Sequence, residues 1–99
     1  MGEAASLGDL LALGARSSKA LRAWLDGRSP VLAERLSVEA ALRGETIGQF
    51  LRIATADFLA EADEDSWASL VSALREADDP AAACVERVIA FRMRLERAP

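Results

Sequence analysis

Apolar residues recur along this chain at intervals of three and four, and polar stop signals cut them into separate runs. Leu7, Leu10, Leu11, Gly14, Ser18, Leu21 and Leu25 share helical spacing. Asp26-Gly27-Arg28-Ser29-Pro30 ends that run, because glycine suits the position just past a helix and proline cannot continue one. Ser29 then reads as an N-cap, with Pro30 at the first helical position, where its missing N–H costs nothing. Leu32, Leu36 and Ala40 mark the next apolar line, Glu39 and Arg43 make a favourable i,i+4 pair on it, and Gly44 closes it. Thr46 caps the following helix. Its stripe of Ile47, Phe50, Leu51, Ala54 and Phe58 is the strongest periodic signal in the chain.

Asp63-Glu64-Asp65-Ser66 interrupts the pattern with acids that suit the positive N-terminus of a new helix. Trp67, Leu70, Val71 and Leu74 give that helix its apolar face. Asp78-Asp79-Pro80 is another stop and start, with Asp79 as N-cap, and Val85, Val88, Phe91 and Leu95 carry the last helix towards the end of the chain. The pattern predicts an all-α single domain over residues 1–99, built from four to five short amphipathic helices. Residues 29–62 form a helix-turn-helix-like core, and residues 63–97 an acidic helical pair. One stretch reads two ways. In Lys19 to Leu25, Leu21, Ala23 and Leu25 alternate with Arg22 and Trp24, which allows at most one short strand near residues 19–25. The same residues continue the stripe that begins at Leu7, which favours helix.

Composition narrows the chemistry. The 99 residues include no histidine and one cysteine, Cys84. Histidine is the usual acid/base near neutral pH and the commonest metal ligand, so a Ser-His-Asp triad, a Cys-His pair and ordinary zinc sites are excluded. Cys84, among Ala81, Val85 and Val88, reads as a small buried residue. The acids from Asp57 to Asp65 lack the glycine and terminal glutamate of a calcium loop and read as a solvated linker and cap. No catalytic residue, metal or cofactor is expected. No apolar run approaches the roughly 20 residues that span a bilayer. The N-terminus has no basic segment of the kind that opens a signal peptide, so the expected location is the cytoplasm. A hydrophobic content of 52% is high for so short a chain, which points to apolar surface covered by a partner or a second copy. Charge is uneven: residues 16–52 carry +3 and residues 53–99 carry −5. A mildly basic front and an acidic back suggest two surfaces with different partners.

The order of cap, helix, Arg-Gly turn, Thr cap and amphipathic helix over Ser29 to Ala60 resembles the helical part of ribbon-helix-helix DNA-binding proteins. The segment Leu42-Arg43-Gly44-Glu45-Thr46, followed by Phe50-Leu51-Arg52 and Ala54, looks most like the antitoxins that pair with acetyltransferase toxins. Asp63 to Val88, with Asp65-Ser66-Trp67, Leu70 to Leu74 and Asp78-Asp79-Pro80, is similar to the toxin-binding tail of the same proteins. The resemblance implies a dimer whose paired strands, falling here at Leu21–Asp26, read DNA. It makes Arg22, Arg28 and the amides near Thr46 the DNA-binding candidates. It also makes Trp67, Leu70, Val71 and Leu74 the partner-binding surface.

Two readings stay open. One is an antitoxin-like regulator that binds DNA and a partner protein. The other is a wholly helical interaction adaptor or subunit that binds no nucleic acid. The conformation of residues 19–25 separates them.

Overall fold

The computed structural model describes residues 17–97. Within them lie five helices and no strand: α1 (Ser18–Asp26), α2 (Pro30–Leu42), α3 (Ile47–Glu61), α4 (Glu64–Glu76) and α5 (Pro80–Arg97). The stripe positions Leu7, Leu10, Leu11 and Gly14 lie outside the described residues. Among the described residues no helix is long and apolar enough to cross a membrane.

Every helix begins on a side chain that accepts a hydrogen bond from a first-turn amide, including α1, whose start at Ser18 after the Ser17 cap falls inside the stripe read as continuous from Leu7. Ser17 accepts from the Ala20 amide at 3.1 Å and Ser29 from Leu32 at 3.2 Å. Thr46 accepts from Gln49 at 3.1 Å. The Gln49 side chain returns the bond by accepting from the Thr46 amide at 2.8 Å, which completes a capping box. Asp63 accepts from Ser66 at 2.8 Å and Asp79 from Ala82 at 3.3 Å. The ambiguous segment is helix. Leu21 and Leu25, four residues apart, are both fully buried on one side of α1, whereas strand alternation would have grouped Ala23 with them.

The turn between α2 and α3 depends on Gly44. Its φ is +68°, and no other non-neighbouring atom comes within 4 Å of where a Cβ would stand. The Gly44 amide donates to the Ala41 carbonyl at 3.1 Å and the Glu45 amide to the Ala40 carbonyl at 2.9 Å. These two bonds make a Schellman termination, which needs a left-handed residue at this position. A side chain here meets backbone strain and not a clash.

α3 is the central element. It packs on α1 and α2 on one side and makes the most extensive contact of the fold with α5 on the other. The stripe Ile47, Phe50, Leu51, Ala54 and Phe58 is buried, as are Leu32, Leu36 and Ala40 of α2 and Val85, Val88 and Phe91 of α5. The principal packing therefore crosses the boundary between the two halves expected from the sequence.

One charged residue is set into this packing. Arg92 is only 6% exposed. Its guanidinium holds both carboxylate oxygens of Glu45 at 2.8 Å, stands over the Phe50 ring at 4.4 Å and reaches Glu96 at 3.2 Å. Arg43 lies over the same ring at 5.1 Å, pairs with Glu39 at 2.8 Å and bonds Glu96. The arginines in the second half of α5 therefore have different surroundings. Arg94 and Arg97 sit in the last turn of α5, where they complement the helix dipole, but Arg92 lies seven residues past Val85 on the buried face.

Three predictions follow from these features. Gly44→Val should cost about 1–2 kcal/mol and lower the melting temperature by about 5–10 °C. An unchanged melt would mean that the turn tolerates a positive φ in a β-branched residue. Glu45→Ala should cost about 2 kcal/mol, because it strips the bidentate partner from a buried guanidinium that keeps only Glu96 and a carbonyl. The third concerns acid. Hydrogen bonds from Arg92 hold the Glu45 carboxyl below its ordinary value near 4.5, and bonds from Arg43 do the same for Glu96. The folded chain therefore binds fewer protons than the unfolded chain in this range. The stability so gained is present above about pH 4.5 and is lost as pH falls through the depressed values. Melting curves from pH 6 to pH 3 should drop less steeply for Glu45→Gln than for the wild type.

Candidate functional site

The end of α3, the start of α4 and one face of α5 enclose a groove of about 630 Å³. Its position follows from helical spacing. Arg87, Phe91, Arg94 and Leu95 fall at i, i+4, i+7 and i+8, so a single face of α5 presents them together. Phe58 of α3 and Phe91 are buried beneath it, their rings edge-to-face at 5.0 Å. Glu61 and Asp65 line it as well, from the last residue of α3 and the first turn of α4.

The groove is apolar at its base and carries opposite charges around its rim. Arg87 donates to the Ser69 hydroxyl at 3.0 Å, and Arg94 lies 5.7 Å from the centre of the Phe91 ring. Neither guanidinium forms an ion pair among the described residues. Asp63 borders the same space, and the Ser66 amide that it caps holds its carboxyl below the ordinary range.

The expected partner surface does not stand together at the surface. Leu70 and Leu74 are 2% and 6% exposed and belong to the core, because α4 turns them towards α5. Val71 is half-buried. Trp67 is half-buried too, packed edge-to-face on Phe58 at 4.8 Å, where it backs the groove. The periodic signal could not divide the stripe, since a core face and a docking face have the same period.

The expected DNA contacts are occupied from within the chain. Arg22 bonds Asp26 at 3.2 Å and also Ser37, with Glu34 at 3.4 Å. Arg28 bonds Asp79 at 2.7 Å and lies 4.3 Å from the centre of the Trp24 ring. At the start of α3 the Thr46, Gly48 and Gln49 amides are taken by Gln49, Ser18 and Thr46 side chains. The strand that a ribbon-helix-helix protein pairs in its dimer is α1 here.

No family model matches the chain, and comparison with curated proteins and with solved structures gives no match. Among the described residues no group of three or more metal-ligating side chains is arranged around a point. Cys84 is fully buried, and burial pushes its thiol up to about 11, far from the thiolate a nucleophile needs.

Trp67→Ala should cost about 2 kcal/mol of stability, less than the 3–5 kcal/mol of a fully buried aromatic because one side of the ring is wet. Urea unfolding measures it. A change under about 0.5 kcal/mol would remove Trp67 from the core and return it to the surface.

Proposed function

We propose that this chain is a non-catalytic helical interaction domain that takes an amphipathic segment of another protein into the groove between α4 and α5. The observation that carries this reading is the placement of Arg87 and Arg94. They stand two helical turns apart on either side of buried Phe91, and neither is held in a close ion pair among the described residues, although Arg94 acts on Asp63 at longer range. A segment with a large apolar side chain at its middle and acids near its ends matches that arrangement, and basic residues on its other edge match Glu61 and Asp65. Charge complementarity of this kind selects partners and orientation more than it adds affinity.

The wholly helical adaptor is favoured over the DNA-binding regulator on three grounds. Residues 19–25 are helix, Arg22 and Arg28 are tied to acids, and a net charge of −4 opposes approach to phosphate.

The test compares the wild type with an Arg87→Glu/Arg94→Glu double variant as bait in extracts of the native cell. Both arginines are exposed, so melting temperatures should agree. A protein recovered with the wild type should be lost from the double variant and retained by a control changed on the far side of α2, Val31→Ser. Equal recovery with both baits, or recovery of nothing, removes the groove as the binding surface.

A further inference from the structure

The groove has a direction. α4 and α5 pack together and are joined only by residues 77–79, which makes them antiparallel neighbours. Two interactions fix how they align. Arg87 bonds Ser69 at 3.0 Å at one end, and at the other the charge of Arg94 acts on Asp63. Positions 63–69 of one wall thus run against positions 94–87 of the other, along a trough about two helical turns long. Buried Phe58 and Phe91 form its floor, and Leu95, which lines it too, is 36% exposed. Charge is divided between the walls. Arg87 and Arg94 stand on α5, whereas Asp63 and Asp65 stand at the start of α4, with Glu61 beside them at the end of α3.

We propose that the occupant of this trough is an α-helix laid along α5, with two acids seven residues apart and large apolar residues three and four positions after the first acid. This rests on the reading of the groove as a docking site and adds the conformation and spacing of what docks there. Spacing carries the argument. Arg87 and Arg94 are seven residues apart on one helix, so their Cα atoms are about 10.5 Å apart along its axis and about 20° apart around it. On a second helix, positions i and i+7 repeat that separation. Positions i+3 and i+4 fall between them on the same face, as Phe91 falls between the two arginines. An extended segment does not match. It advances about 3.4 Å per residue, so about 10.5 Å is three residues, and side chains three apart point to opposite faces. Its backbone N–H and C=O groups also need the edge of a sheet, and the described residues contain no strand. A helix brings its backbone bonds with it. The trough between two antiparallel helices is also where a third helix fits, since helices pack side by side at about 8–10 Å. Basic residues on the far edge of the occupant then face Glu61 and Asp65.

Synthetic peptides of about 16 residues test this against the full chain, with binding read by fluorescence anisotropy. The first peptide carries glutamates at i and i+7 and leucines at i+3 and i+4 in an alanine-rich helical host. The second has the same composition with the glutamates five apart, about 140° from each other around the helix. The third carries a proline between the leucines and the second glutamate, which breaks the helix. The first should bind with a dissociation constant on the order of 100 μM, and the other two about tenfold or more weaker. Lysines in place of both glutamates should abolish binding to the wild type and restore it to Arg87→Glu/Arg94→Glu. Equal binding of the first two peptides overturns the spacing, and equal binding of the proline peptide overturns the helix. The first peptide can fail at about 1 mM while the double variant still loses a protein that the wild type recovers from extracts. In that case the groove stands as a docking site and the helical occupant falls. Failure of both removes the groove as well.

Discussion

Phe50 is the point at which three helices are tied together. Its ring, on α3, is fully buried, and the guanidinium groups of Arg43 from the end of α2 and Arg92 from α5 both lie against it. Glu96 bonds both arginines, and Glu45 and Glu39 complete the set. Each cation over an aromatic face gains from the ring quadrupole, more so where water is scarce. The arrangement also fixes orientation. α5 can slide along α3 only by pulling Arg92 off the carboxylate that the α2–α3 turn holds out. The packing of Val85, Val88 and Ile89 supplies most of the driving force, but apolar surfaces tolerate more than one register. The bidentate pair with Glu45 accepts one.

Four of the helices were legible because each is announced twice, by a polar stop at its start and by an apolar period, whereas the Ser17 cap that opens α1 was not read. Ser29, Thr46, Asp63 and Asp79 each do in the structure what their positions in the sequence required. The left-handed residue at Gly44 was legible for the same reason, since a helix end and a helix cap stand two residues apart. Arg92 was not. An arginine four residues past Val88 fits either an exposed edge or a buried one, and only the arrival of Glu45 from 47 positions away decides it. The α4 stripe was legible as a stripe, but its division into core leucines and a half-exposed tryptophan depends on where α5 lies.

Charge asymmetry along the chain has a largely internal meaning. Arg28 with Asp79, Arg43 with Glu96, and Arg92 with Glu45 each join the basic front to the acidic back. Charges from both halves are thus used to hold one domain together, in both directions across the boundary. Arg28 is held by Asp79 across that boundary and Arg22 by Asp26 and Glu34 within the front, so neither is a free basic side chain. Arg87 and Arg94, which form no close ion pair among the described residues, lie within the acidic half, where a simple charge count would not look for them.

α4 differs from the other helices in how it is held. Its one extensive helix contact is with α5, supplemented by the edge of Trp67 on Phe58. Elements with few tertiary attachments open locally at a smaller free energy than the whole domain unfolds. The backbone amides of α4 should accordingly exchange with deuterated water sooner than those of α3, whose neighbours lie on several sides. The clasp around Phe50 takes no residue from α4, so the attachment of the groove's wall and the attachment of the domain's centre are separate.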